Sequence, residues 1–325
     1  MESVNNMYNT LIIGCGNVGT FFDVPSSSDI LTHAHAYYNH NDFNIVGFVD
    51  TVFERAQKAS QIWGGKAYSS VSHAFKDQDI QVISVSSPDS THYNILKELL
   101  KYNFKLVLAE KPLTESLDHA REIQELYAYK SIPVAVNYSR RFVPEFDELR
   151  KRILSDRFGN YVAGTAYYGK GLLHNGSHLI DILSFLTLKV TKMFRYLSHL
   201  EDYAENDKSV SAILEIVDKA FFLMQAIDCR LFSIFEFDLV FEKARIRIVD
   251  SGLAIEYYEI QRDSTFDKYK KLLLSEKKHT SLRNSLKYAV ANISDYLKFG
   301  SPLKSTIDNA VDVIRVCEEI KTFVR

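Results

Sequence analysis

A chain of 325 residues suggests two domains at roughly 100–200 residues each. With 46% hydrophobic and 25% charged residues, its composition is globular and excludes a disordered, collagenous or purely coiled-coil chain. The formal charge of −2 leaves no global positive field for nucleic acid or an anionic membrane, so any anionic ligand must be held by local groups.

The first 136 residues alternate two patterns. Short, continuous β-branched runs lie at Thr10–Ile13, Asn44–Val49, Gln81–Val85, Phe104–Leu108 and Ile132–Val136. Segments of helical periodicity fall between them, at 33–40, 52–62, 90–101 and 115–129. Continuous rather than alternating strands belong to a parallel sheet covered on both faces, and strand–helix alternation of this length predicts a doubly wound α/β domain. After residue 137 the pattern changes. A helix over 144–156 leads to a strand at Tyr161–Tyr168 and a helix near 177–187. Period-2 runs follow at Ser209–Val217, Ala220–Ile227, Phe232–Phe241, Ala244–Val249 and Ala254–Ile260, with Asp250-Ser251-Gly252 as a turn. The polar stretch Glu201–Lys208 reads as a surface loop, and two helices, about 281–298 and 304–323, close the chain. The prediction is α/β: a Rossmann domain over 1–136 and an α+β domain over 137–325, built on an open-faced mixed, mainly antiparallel sheet. The last helix is free to pack back on the first domain. Ligands should bind at the carboxyl ends of the parallel strands.

No apolar run approaches the ~20 residues needed to span a bilayer, and the first ten residues lack the basic region of a leader peptide. Cys15, Cys229 and Cys317 are odd in number and far apart, which fits neither a disulfide framework nor a zinc site. The expectation is a cytoplasmic protein with no membrane or nucleic-acid partner.

Gly14-Cys15-Gly16-Asn17-Val18-Gly19 sits directly after the first strand. In such a turn Gly14 permits the tight bend, Gly16 lets backbone approach a pyrophosphate, and Gly19 allows close helix–strand packing. N–H groups and a helix dipole would face the anion. Asp50 ends the second strand, where a carboxylate can accept from an adenosine ribose diol and repel a 2′-phosphate, favouring NAD over NADP. It lies 31 residues after Gly19, beyond the usual ~20, and Arg55 stands nearby as an alternative phosphate partner. The extra length falls in Phe21–Leu31, read as an insertion covering the cofactor.

Further motifs follow in order: Ser86-Ser87-Pro88-Asp89-Ser90-Thr91-His92, Ala109-Glu110-Lys111-Pro112, Asn137-Tyr138-Ser139-Arg140-Arg141-Phe142, and Gly169 through His174 and His178 to Asp181. This series resembles the glucose–fructose oxidoreductase, inositol dehydrogenase and rhizopine-catabolism (Gfo/Idh/MocA) family of nicotinamide-dependent oxidoreductases. The resemblance implies that Lys111 meets the reacting oxygen and that His178 exchanges its proton. Ser87, Pro88 and His92 would line the nicotinamide side, with Glu110 and Asn137 near cofactor and substrate. It also implies a second domain that closes the substrate cleft and makes oligomer contacts. His174 stands where the family usually has Asp or Asn, so it is a candidate for catalysis or for substrate choice.

The chemistry suits the pair. Hydride loss from a secondary alcohol releases one proton, which an imidazole can take near neutral pH. An ammonium stabilises developing alkoxide charge. Arg141, Tyr168, Lys170 and Asp181 are further candidates to contact substrate. His174, His178 and Asp181 at i, i+4 and i+7 would share a helix face, but Gly176 interrupts it and no metal is expected. The reading is thus an NAD(P)-dependent dehydrogenase or reductase acting on a sugar, nucleotide sugar or cyclitol, in a homo-oligomer (dimer or tetramer). The alternatives are an NAD-retaining glycoside-cleaving enzyme and a non-catalytic dinucleotide or sugar sensor.

Overall fold

The computed structural model describes residues 7–262 and 269–324. The first six residues, part of the stretch read as lacking a leader, lie outside the described residues. The chain divides into two units: one comprises residues up to Phe142 with Arg283–Asp312, the other Val143–Leu282 with the chain from Val313 onward.

In the first unit, strands β1 (Tyr8–Ile13), β2 (Phe43–Val49), β3 (Lys66–Tyr68), β4 (Val82–Val85), β5 (Leu106–Ala109) and β6 (Val134–Val136) form one parallel sheet. Its order, β3-β2-β1-β4-β5-β6, is that of the dinucleotide-binding Rossmann sheet. Helices α1 (His33–Tyr38), α2 (Phe53–Trp63), α3 (Val71–Asp77), α4 (His92–Leu99) and α5 (Leu117–Tyr129) connect the strands. Residues of β4 and β5 are fully buried, which is why their sequences run apolar without alternation. Ser70 and Ser116 each cap a helix by accepting a backbone N–H of the first turn.

The second unit begins with α6 (Pro144–Leu154), β7 (Tyr161–Tyr168) and α7 (Ser177–Phe185). Strands β8 (Val190–Ala204), β9 (Asp207–Ile216), β10 (Phe221–Ala226), β11 (Glu236–Phe241), β12 (Ala244–Val249), β13 (Ala254–Arg262) and β14 (Lys270–His279) follow. The eight-stranded sheet runs β14-β13-β12-β11-β7-β10-β9-β8, antiparallel throughout except where β10 lies parallel to β7. In β11 and β12 buried residues alternate with partly exposed ones, the pattern of a sheet with one covered face. Val162, Phe194 and Phe221 are exposed, and the Phe194 and Phe221 rings lie 4.6 Å apart.

Three expectations need correction. The boundary falls at Phe142, not 136, and the helix α8 (Ser285–Phe299) returns to the first unit, because Leu286, Val290 and Ile293 join the core of Ile12, Phe48 and Leu106. The last helix, α9 (Ile307–Lys321), is divided between the units. The stretch Glu201–Lys208 is the tip of the long β8–β9 hairpin rather than a free loop: Glu201, Tyr203, Glu205 and Asn206 are exposed, while Asp202 and Asp207 within it are buried. No helix among the described residues is long and apolar enough to cross a membrane.

Candidate functional site

In the first unit the glycine turn lies at the carboxyl end of β1. Gly14 holds φ +93° and donates its N–H to Val49 O at 2.9 Å. A Cβ there would stand 2.4 Å from Ser87 N, and one at Gly19 would stand 2.2 Å from Gly14 O, so packing locks both glycines. At Gly16 a Cβ would meet nothing within 4 Å. The middle glycine therefore faces open space, with Asn17 and Val18 exposed beside it. A single wide helical turn, Asn17–Phe21, follows, and α1 starts at His33. An anion here would meet loop N–H groups rather than the dipole of a long helix, a correction to the sequence reading.

The segment between that turn and α1 is tied down by the buried Asp23. Its carboxylate accepts Leu31 N (2.6 Å), Thr32 N (3.3 Å) and Thr32 Oγ1 (2.5 Å), and meets His35 Nδ1 at 2.8 Å. Asp50 braces the glycine turn: Oδ2 accepts Cys15 N and Oδ1 accepts Val52 N, both at 2.8 Å. Burial and the Asp50 charge push the Cys15 thiol up to about 12, so it stays protonated.

At the ends of β5 and β6, Glu110 Oε1 meets His33 Nε2 at 2.9 Å and accepts Asn137 Nδ2 at 2.6 Å, while Oε2 accepts Lys111 N at 3.2 Å. Burial alone would raise the Glu110 carboxyl. The His33, Lys111 and Asn137 contacts outweigh it and hold the group down at about 2. Lys111 is half-buried and the Asn137 Oδ1 is buried without a hydrogen-bond partner. His92 is fully buried, with Nδ1 2.7 Å from Pro112 O and Nε2 2.9 Å from Ser87 O. It clamps two loops together rather than facing a ligand, contrary to its expected place at the cofactor. Ser87 Oγ accepts Thr91 Oγ1 at 2.7 Å, and Pro88 is exposed. Arg141 is buried in the short turn Ser139–Phe142.

In the second unit Gly171 (φ +80°) and Asp207 build the turn that carries His174. Asp207 accepts Leu173 N at 2.7 Å and His174 N at 2.8 Å, and a Cβ on Gly171 would strike the same carboxylate. Burial pushes Asp207 up from the ordinary aspartate value despite those two bonds. The His174 ring stacks on Tyr203 at 4.7 Å, and Lys170 Nζ lies 5.8 Å from the same ring. Asp202 accepts Lys170 N at 2.8 Å. His178, half-buried in the first turn of α7, stands edge-on to Phe235 at 6.3 Å. Tyr168, expected at the substrate, is fully buried. Its hydroxyl donates to Val210 O (2.8 Å) and accepts Val210 N (2.7 Å), so it is a strand brace. Asp181 is likewise buried, at 1% exposure. Among the described residues no group of three or more His, Cys, Asp or Glu could hold a metal ion.

Sequence reasoning missed His33, Ser84, Asp23, Tyr203 and Asp207. Their partners lie up to tens of residues away, so no local spacing marks them.

Residues 8–138 match a family model described as an oxidoreductase family with an NAD-binding Rossmann fold. An uncharacterized oxidoreductase (C115.03) of Schizosaccharomyces pombe is 30% identical over 133 residues, 35% of this chain and 36% of that protein. The inositol 2-dehydrogenase of Mycolicibacterium smegmatis is 32% identical over 112 residues, 34% of this chain and 32% of that protein. These matches thus span about a third of the length of either relative. The crystal structure of the UDP-N-acetylglucosamine 3-dehydrogenase of Acidithiobacillus ferrooxidans superposes with a TM-score of 0.74 at 15% identity, covering 98% of this chain and 99% of that one, which shows a shared fold. Residues 8–138 are thus similar to the oxidoreductase family with the NAD-binding Rossmann fold.

Proposed function

We propose that the chain is an NAD(P)-dependent dehydrogenase or reductase, moving hydride between nicotinamide and a secondary hydroxyl or carbonyl of a sugar, nucleotide sugar or cyclitol. The observation that carries this reading is the glycine turn: open space at Gly16 between two glycines locked by packing, on a sheet of Rossmann order. The residues fit a dinucleotide. Gly14, Gly16, Asn17, Val18 and Gly19 would hold the pyrophosphate. Asp50 would take the ribose and favour NAD over NADP. Ser87, Pro88, Glu110 and Asn137 would flank the nicotinamide, where the unpartnered Asn137 oxygen suits a carboxamide N–H. The bound dinucleotide supplies the carbon that accepts or returns hydride.

The chain's own groups do the rest. Lys111 donates to the substrate oxygen and supports its negative charge. His178 takes the hydroxyl proton, or returns it in reduction. Lys170, Arg141 and His174 orient the substrate, with Tyr203 beneath His174 as an aromatic support. The mycobacterial inositol dehydrogenase supports a polyol class. The exposed Val162, Phe194 and Phe221 support a homo-oligomer, and three free cysteines support a reducing, cytoplasmic setting.

The test is NADH formation from a panel of sugars, nucleotide sugars and inositols. Lys111→Ala and His178→Ala should each lower turnover about 10²–10⁴-fold while NAD binding persists. Wild-type turnover in either variant would refute its role. Release of a glycone without net NADH would favour glycoside cleavage, and NAD binding without turnover on any substrate would favour a sensor.

A further inference from the structure

The first unit buries a polar pair, His33 and Ser84, that leads to Glu110 and that none of the steps above uses. Ser84 lies in β4 between Ile83 and Val85, and all three are fully buried. Its Oγ is 2.6 Å from His33 Nδ1, and His33 Nε2 is 2.9 Å from Glu110 Oε1. His33 itself is fully buried in the first turn of α1. An ionised carboxylate can only accept, so Nε2 carries the hydrogen towards Glu110, while Nδ1 lies within hydrogen-bond reach of the Ser84 hydroxyl. Asn137 reaches the same Oε1 from the end of β6 at 2.6 Å. One oxygen of Glu110 is thus held by groups from two different elements. The other, Oε2, takes the Lys111 backbone N–H.

A serine and a histidine in the middle of an apolar sheet interface cost stability unless each is satisfied, and apolar residues would pack there without that cost. The chain runs from the sheet interior to the strand end next to Lys111. We infer that His33 is a positioning residue: by holding Glu110 it fixes a carboxylate charge against Lys111, and so sets the aim and charge of the group that meets the substrate oxygen. The part played by Lys111 rests on the function proposed above. The chain of contacts to Glu110 does not.

The charged groups around Glu110 are consistent with this. His33 faces it from α1, Lys111 adjoins it in its own loop and Asn137 approaches from β6, while Ser84 stands behind His33 and Tyr37 against Ser84. Without His33 the carboxyl would lose a leading contact that opposes burial, and it would protonate at higher pH.

Two measurements on the full chain test the inference. The first needs no substrate: carbon-13 NMR of the Glu110 side-chain carboxyl in wild type, His33→Phe, His33→Gln and Ser84→Ala. Wild-type Glu110 should stay ionised from neutrality to about pH 4, near the ordinary glutamate value. His33→Phe should raise its midpoint by more than one unit. Ser84→Ala should move it the same way by less, and His33→Gln, whose amide still donates, should restore it. A Glu110 titration in folded His33→Phe that matches wild type overturns the inference. Should that variant fail to fold, an unmoved titration in Ser84→Ala does the same. The second measurement is kinetic. His33→Phe should lower kcat at least tenfold with little change in KM and move the acid limb of the kcat profile upward, with most of kcat regained in His33→Gln. An unchanged kcat and pH profile also overturns it. Full activity in Lys111→Ala would instead strike the proposed function, and the NMR shifts would still stand.

Discussion

Glu110, half-buried, and Asp207, buried, are carboxylates that each hold a loop carrying a candidate functional side chain, one in each unit. They are supported in opposite ways. Glu110 meets the His33 ring, an amide N–H₂ and the Lys111 backbone, with the Lys111 charge beside it, and is held well below the ordinary glutamate value. Asp207 receives two backbone N–H groups, and burial still pushes it up. At Asp207 two peptide N–H bonds, even with Lys321 and His174 nearby, do not offset desolvation, whereas at Glu110 the His33 and Asn137 side chains together with the Lys111 charge do. The first carboxylate therefore offers a permanent negative field and the second a mechanical latch.

The largest way to break this contrast is to delete each carboxylate. Glu110→Leu would leave His33, Asn137 and Lys111 facing a half-buried apolar group, at a cost of about 3 kcal/mol in unfolding free energy. Asp207→Asn keeps one acceptor oxygen for two N–H donors, so it should cost about 1 kcal/mol. Urea denaturation of both variants checks the order. Equal losses would mean that the two carboxylates do the same work.

The same contrast explains what could be read from the sequence. In the first unit the strands are predominantly apolar and carry no charged residue in their interiors, so Asp50, Glu110 and Asn137 at their ends stand out, and the glycine turn has one short spacing. The pair His33–Ser84 was illegible because its members are 51 residues apart and each alone looks like an ordinary helix or strand residue. In the second unit polar residues are frequent on every strand, so Asp207 carried no signal. β8 escaped detection because repeated register shifts break its period of two, and β14 because its residues are mostly exposed on both faces. Both flank the legible strands β9 to β13. Tyr168 differs from its expected place for a related reason: a polar side chain near a motif can be buried as a brace, and only tertiary packing reveals which way it points.

A pH series sharpens the comparison with a smaller effect. Glu110 is depressed in the fold, so its stabilisation is fully present above the unfolded value of 4.5 and is lost as pH falls towards about 2. Asp207 is raised, so its contribution is complete below the unfolded value of 3.8 and is lost as pH climbs through its higher folded value. Between about pH 4.5 and 2, then, Leu106–Ala109 should lose hydrogen-exchange protection before Asp207–Ile216 does. Glu110→Gln should remove that difference. Simultaneous loss in wild type would show that the two carboxylates do not govern separate cooperative regions.

The smallest effect on stability has the sharpest functional reading. Gly14, Gly16 and Gly19 share one turn, yet they differ in what a methyl group would meet. At Gly14 the left-handed φ and the 2.4 Å approach to Ser87 N forbid it, and at Gly19 the carbonyl of Gly14 does. At Gly16 nothing stands within 4 Å, so Gly16→Ala should change unfolding free energy by no more than about 0.5 kcal/mol. If that space is where a pyrophosphate rests, the added methyl displaces it, and NAD affinity should fall at least tenfold in a protein that melts like wild type. Titration of NAD by quenching of Trp63 fluorescence, which reports from α2 of the same unit, measures both properties on one sample. Affinity equal to wild type in Gly16→Ala would move the dinucleotide away from the middle glycine, and with it the strongest physical support for the first unit as the cofactor domain.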